Sequence, residues 1–189
     1  QALDIHGLDY MMDEVVEDGA GRVLEERILA IHRLKSAAPA SMLAQVGVLL
    51  GSGSEVQIKA LGDYYEALGI SFQIIDDTLN LRGFKDGLKT KGEDITAGKI
   101  TYPVAKAMTR LEKNDRARLW EIVKAKTDDL VLIKEAVDLL DKVDALDDCV
   151  KEAKDILNDA WKLLDPIVRD SMVKLNLRAF SWYVLDRHY

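Results

Sequence analysis

An all-α fold is what this 189-residue sequence predicts, on three observations. Apolar residues recur at three- and four-residue intervals along nearly the whole chain, the repeat of a helix face. No segment alternates apolar with polar residues as a half-buried strand would. The interruptions between periodic stretches fall at glycine, serine and proline, the usual punctuation between helices. With no internal repeat, the chain reads as one domain or a large part of one.

The elements follow in order. Over residues 21–50, Val23, Leu24, Ile28, Ile31 and Leu34, then Met42, Val46, Leu49 and Leu50, fall at helical intervals. Pro39 is expected to bend or break this helix just after Lys35 and Ser36, because proline lacks an N–H and its ring crowds the preceding turn. The break GSGS at 51–54 ends on Ser54, a natural cap for a long helix from about Glu55 to Arg82. An irregular loop rich in glycine and lysine is expected at 83–103, GFKDGLKTKGEDITAGKITYP. Helical patterns resume at Val104–Leu111, Arg116–Lys126 and Leu130–Leu140. Two longer ones follow, around Asp144–Leu164 and Pro166–His188, with Pro166 suited to a first helical turn. The expected architecture is a helical bundle around a buried central helix, with Trp120, Trp161 and Trp182 packed between the later helices.

Composition narrows the function classes. An apolar share of 48% and a charged share of 31% are ordinary for a globular protein. No apolar run approaches the roughly 20 residues that cross a bilayer, and no signal peptide is evident. The single cysteine, Cys149, builds no disulfide framework, so a reducing cytoplasm is the expectation. A net charge of −7 argues against nucleic acid as a partner. Small anions held by metal ions and a few lysines remain compatible with it. The chain opens at Gln1 inside a helical pattern, as a trimmed or partial chain would.

The informative segment is SFQIIDDTLNL, residues 71–81. Around it Leu61, Tyr65, Leu68, Phe72, Ile75 and Leu79 share one helix face, while Ala67, Ile70, Ile74 and Leu81 make much of the rest apolar, the pattern of a buried helix. Gln73, Asp76, Asp77 and Asn80 stand at i, i+3, i+4 and i+7 and form one polar stripe. Gly62 and Gly69 extend it toward the N-terminus, where missing side chains are expected to leave room for a ligand. Burying unpaired carboxylates costs several kcal/mol each, so something must neutralise them. A hard divalent cation suits oxygen ligands of this kind. Taken alone, a DDxxN is more often the solvated end of a helix. The loop beyond it changes the balance, since Lys89, Lys91 and Lys99 offer ammonium groups to an anion bridged by that metal. A nucleotide P-loop is excluded at Gly92 to Gly98, where five residues intervene, Ile100 replaces the required hydroxyl residue and no strand precedes.

In this arrangement the chain resembles the trans-isoprenyl diphosphate synthase family along essentially its whole length. QALD at 1–4 is similar to the end of the family's GQxxD motif, and Lys35-Ser36 to its Lys-Thr step. FQIIDD at 72–77 resembles the second aspartate-rich motif, and KTKGEDITAGKITYP at 89–103 the following GKxxGEDxxEGKxTxP loop. The closing FSWYVLDRHY is similar to the family's last helix with its aromatic and basic end. The resemblance implies a helical bundle of the isoprenoid synthase type, with residues 1–189 its C-terminal part. It implies a transferase that condenses an allylic diphosphate with isopentenyl diphosphate into a short trans-prenyl diphosphate, geranylgeranyl diphosphate by its DDxxN form. Mg2+ would be the cofactor, on Asp76, Asp77 and Asn80. Gln73 would meet the allylic site, and Lys35, Lys89 and Lys99 would hold diphosphate oxygens, Lys89 fitting the spacing better than Lys91. Ser36, Phe72, Gln1 and Asp4 would line the substrate cavity. A homodimer is implied as well.

The chain departs from the family in two ways. Asn80 stands where many members carry a third aspartate. The first aspartate-rich motif and the arginines for isopentenyl diphosphate, which precede GQxxD in the family, are not in this sequence. The chain alone is therefore expected to be inactive and to need that half, from the same or a separate chain. Two other readings stay open: a prenyltransferase module of a bifunctional terpene synthase, and a non-catalytic helical regulatory subunit.

Residues elsewhere receive plainer expectations. His6, His32 and His188 lack zinc spacing. Asp128-Asp129 and Asp147-Asp148 are expected at helix starts, where negative charge suits the dipole. Cys149 is expected buried, and Met11-Met12 fits either a lipid-facing cavity or simple packing.

Overall fold

The computed structural model describes residues 5–83 and 92–186, the side chains of 5–7 excepted. Among these the chain is helical with no strand, as expected. A 3₁₀ segment, Ile5–Met11, leads into α1 (Met12–Asp18), α2 (Gly21–His32), a π-helical turn (Arg33–Ala37) and α3 (Ala38–Leu50). Then come α4 (Glu55–Arg82), α5 (Glu93–Thr96), α6 (Tyr102–Met108), α7 (Lys113–Lys124), α8 (Leu130–Asp141), α9 (Ala145–Leu164) and α10 (Met172–Leu185).

Two compact units are present. The first takes its described residues from 5–31 and 76–150, the second from 32–75 and 151–186. In the first unit α1 packs on α7, α7 on α8, and α6 on α8. Its core contains Met12, Leu24, Ile28, Ile95, Ile100, Met108, Leu119, Ile122 and Cys149, all at 1% exposure or less. Met12 is thus a packing residue. Asp129 caps α8, accepting from the Val131 N–H at 2.8 Å, and Asp147 and Asp148 lie in the first turn of α9, so both acidic doublets sit at helix starts.

In the second unit α4 begins with a reciprocal cap. The Gln57 N–H donates to Ser54 Oγ at 3.3 Å, and the Ser54 N–H to Gln57 Oε1 at 3.0 Å. Ser71 Oγ donates to the Ala153 carbonyl at 2.9 Å, tying α4 to α9. Tyr64 stands edge-on to Trp161 at 5.6 Å. Arg178 of α10 lies 5.1 Å from both Trp161 and Trp182 and donates to Asn158 Oδ1 at 2.6 Å, which fastens α10 to α9.

Several expectations are corrected. Pro39 does not break its helix. The Ala38 N–H bonds the Arg33 carbonyl, five residues back, so the chain widens by one π turn and continues into α3 with Pro39 in its first turn. A mid-helix proline would crowd the Lys35 carbonyl four residues earlier and leave it without its usual donor; the wider turn relieves the crowding. The last helix starts not at Pro166 but after Ser171, whose hydroxyl caps the Lys174 N–H at 3.2 Å. The Lys174 ammonium reaches back to the Asp165 carbonyl at 2.7 Å and to Asp170 at 2.8 Å, holding residues 165–171 as a turn. Trp182 is 56% exposed rather than packed between helices. Of the apolar stripe over 21–50, Leu24, Ile28 and Ile31 are buried, whereas Val23, Leu34, Met42, Val46, Leu49 and Leu50 are exposed.

Candidate active site

In the first unit, the end of α4 carries Asp76, Asp77 and Asn80. Asp77 is buried at 7% exposure, and its Oδ2 accepts the Tyr102 N–H at 3.1 Å. That bond caps α6, whose own N-cap Thr101 makes no side-chain cap. Asn80 is equally buried, and its Oδ1 accepts the Asp94 N–H at 3.0 Å. Asp76 is half-buried.

Among the described residues of the expected irregular loop, α5 is the helix that lies wholly within it. Gly92, its N-cap, has φ +80°, and a Cβ there would stand 2.5 Å from Ile133 Cγ2, so only glycine fits. Lys99 returns onto this turn: its N–H donates to the Asp94 carbonyl at 2.8 Å and its Nζ to Asp94 Oδ1 at 2.6 Å. Burial raises the Asp94 carboxyl above the ordinary carboxylate range; the Lys99 hydrogen bond opposes this, and the charges of Asp77 and Asp76 add to it. Lys99 is held above its ordinary value chiefly by its bond to Asp94, with Asp77 and Asp76 also contributing. Asp76, Asp77, Asp94 and Lys99 therefore form one electrostatic cluster. Asp94 is not among the site residues expected from the sequence; a lysine five residues after an acid is the signal that could have found the pair.

The second unit holds Lys35, Ser36, Phe72 and Gln73. Lys35 and Ser36 lie on the π-helical turn, Lys35 exposed and Ser36 half-buried. Phe72 is half-buried and Gln73 8% exposed, on α4 one turn before the aspartates. Ser36 and Phe72 line a cavity of about 390 Å³, together with Tyr65, Leu68, Gly69 and Phe180. The room expected at Gly62 and Gly69 is already occupied. A Cβ at Gly69 would stand 2.5 Å from Ala37 Cα, and one at Gly62 2.6 Å from Gln45 Nε2, so both glycines admit a neighbouring segment. Gln1, Asp4, Lys89 and Lys91 lie outside the described residues.

Divalent-metal chemistry can be tested against these donors. All are hard oxygens, and the buried acid surplus is what a cation would offset. Among the described residues no group of three or more His, Cys, Asp or Glu side chains is arranged to hold a metal ion.

The sequence that carries this site matches a family model. The chain belongs to the polyprenyl synthetase family, which it matches over residues 1–140. It is 31% identical over 190 aligned positions to a short chain isoprenyl diphosphate synthase of Methanothermobacter thermautotrophicus, covering 100% of this chain and 54% of that protein. It is 40% identical over 79 residues to geranylgeranyl pyrophosphate synthase 11 of Arabidopsis thaliana, covering 41% of this chain and 22% of that protein. The crystal structure of geranylgeranyl pyrophosphate synthetase from Pyrococcus horikoshii superposes with a TM-score of 0.78 at 28% identity, covering 97% of this chain and 58% of that one. The chain thus spans little more than half the length of the full-chain relatives it matches. The fold is the all-α one of those polyprenyl synthases.

Proposed function

We propose that this chain supplies the diphosphate-holding part of a Mg2+-dependent trans-prenyltransferase, which condenses an allylic diphosphate with isopentenyl diphosphate. In that reaction the allylic carbon–oxygen bond breaks and diphosphate leaves with the electron pair. The isopentenyl double bond attacks the resulting cation, and loss of a proton restores a double bond in the lengthened chain. The demand on the protein is stabilising the departing charge with fixed cations. One observation carries the reading: a lysine ammonium, Lys99, held 2.6 Å from the part-buried Asp94, within electrostatic reach of the paired aspartates.

Asp76 and Asp77 are the residues that would hold Mg2+, which when bound would neutralise diphosphate oxygens. Lys99, with Lys35 and Lys89, would take the remaining negative charge. Gln73 would face the allylic group, and Ser36 and Phe72 would contact substrate; Gln1 and Asp4 are assigned to the cavity wall on the family resemblance. A short product of geranylgeranyl length is the reading that the relatives' names favour. A cytoplasmic setting suits a chain whose single cysteine is buried, and no helix among the described residues is long and apolar enough to cross a membrane. The exposed apolar side chains of α3, with Leu50 at 81% exposure, favour an obligatory partner surface, for a homodimer or for the part of the relatives' length this chain does not span.

The test is thermal unfolding of the chain titrated with Mg2+ and inorganic pyrophosphate. A shift that requires both together is expected, and it should vanish in Asp76→Ala and Asp77→Ala. A chain that melts identically with and without the pair would end this reading in favour of a regulatory scaffold.

A further inference from the structure

The family resemblance makes Asn80 a metal ligand, but its side-chain oxygen already has an occupation. Asn80 is third from the end of α4, so its main-chain carbonyl is one of the last four that find no donor within the helix. The Gly92 N–H fills that vacancy at 2.9 Å. Two residues on, the Asp94 N–H lies in the first turn of α5, where amides lack partners inside their own helix. The usual cap is a side chain at the position before the helix, and here that position is Gly92, which has none. Asn80 Oδ1 takes its place at 3.0 Å.

We propose that Asn80 is a positioning residue for Lys99, acting as a remote cap that pins the Gly92–Asp94 turn to the end of α4. The chain of bonds is continuous. Asn80 fixes the Asp94 main chain, and Asp94 receives Lys99 twice, at its carbonyl (2.8 Å) and at its carboxylate (2.6 Å). One residue on α4 thereby anchors the turn whose Asp94 holds the Lys99 ammonium, within electrostatic reach of Asp77 and Asp76 on the same helix. A neutral amide does this without adding a further negative charge beside Asp77 and Asp94. The catalytic meaning rests on the prenyltransferase reading; the anchoring itself does not.

The experiment uses the 189-residue chain without metal. Amide hydrogen exchange at Asp94 is compared in wild type, Asn80→Ala and Asn80→Asp, and Mn2+ affinity is then measured for each. Removing the acceptor should speed Asp94 exchange about tenfold, the effect of losing one part-buried hydrogen bond. Aspartate keeps the acceptor and should hold exchange within about threefold of wild type, with Mn2+ affinity also within about threefold. Unchanged Asp94 exchange in Asn80→Ala would overturn the proposal, as would a tenfold tighter Mn2+ site in Asn80→Asp, the mark of a direct ligand. If Asn80→Ala does not fold, the Asn80→Asp exchange and affinity decide alone. A wild-type chain that binds no Mn2+ refutes the magnesium reading instead, while Asp94 exchange still decides the anchor.

Discussion

Replacing Gly69 by alanine tests how the π-helical turn is held. The added carbon would meet Ala37 Cα at 2.5 Å and Ala37 N and Cβ at 3.0 Å. Carbon atoms settle at about 3.5–4.0 Å, so one of the two segments must retreat by about 1 Å. The obstructing atoms are main chain or bound directly to it, and none can rotate away. Overpacking of this kind costs about 1–3 kcal/mol. Alanine recovers about 1 kcal/mol by its better helix propensity, which leaves a net loss of roughly 1–2 kcal/mol when the steric term lies at its upper end. In a protein of this size that lowers Tm by about 2–8 °C.

Gly62→Ala is the matched control on the same helix. Its new carbon would meet Nε2, Cγ and Cδ of Gln45 at 2.6–2.9 Å, the far part of a flexible side chain. Gln45 can swing out at the expense of its 3.0 Å bond to Ser41, so Gly62→Ala should lie within about 1 kcal/mol of wild type. Urea unfolding of both variants gives the comparison. A Gly69→Ala chain as stable as wild type would refute the argument that this glycine exists to admit the turn.

Other predictions concern the cluster and the C-terminal helix. Asp77→Ala removes the cap of α6 and should destabilise the metal-free chain by about 1–2 kcal/mol, with Asp77→Asn milder because it keeps an acceptor; urea midpoints decide. Asp94 has a raised folded pKa, so the folded state holds its proton more tightly than the unfolded one. The stability of wild type relative to Asp94→Asn should therefore fall as pH rises from about 4, the unfolded carboxylate value, through the higher folded value, and level off above it. Lys99 works in the opposite range: its contribution should be complete below about pH 10.4 and lost as pH rises through the raised folded pKa, seen as the difference between wild type and Lys99→Met. Arg178→Lys should lose stability despite keeping its charge, because a lysine cannot stack between Trp161 and Trp182; a loss of about 1–2 kcal/mol with a change in tryptophan fluorescence is expected.

The sequence carried the helices because their apolar spacing is a local property. Ser54 and Asp129 were legible for the same reason, since each cap bonds an amide two or three residues away. The misread boundaries depended on contacts invisible to periodicity. Pro166 looked like a helix start until Ser171 and the backward reach of Lys174 outweighed it. Pro39 looked like a break, because a one-residue widening of the helix leaves no mark in composition. Gly62 and Gly69 were read as space for a ligand, yet a glycine makes room without stating for what; here it is for Gln45 and Ala37.

The polar stripe was legible as a stripe but not as a division of labour. The family resemblance gives Asp76, Asp77 and Asn80 one job, yet two of them face structural amides: Asp77 accepts from Tyr102, and Asn80 from Asp94. A carboxylate has two oxygens and about four acceptor sites, and Asp77 commits Oδ2 to capping α6. An amide has one oxygen, and the Asp94 bond fixes where it points. The buried acid of this helix, Asp77, is therefore tolerated in part because the start of α6 supplies an N–H that holds it. Truncation at Asp77 should accordingly register in stability before any metal is added. Asp76, the more exposed of the pair, should register mainly in the coupled Mg2+ and pyrophosphate shift. If both truncations destabilise the metal-free chain equally, the division drawn from the Tyr102 bond is wrong.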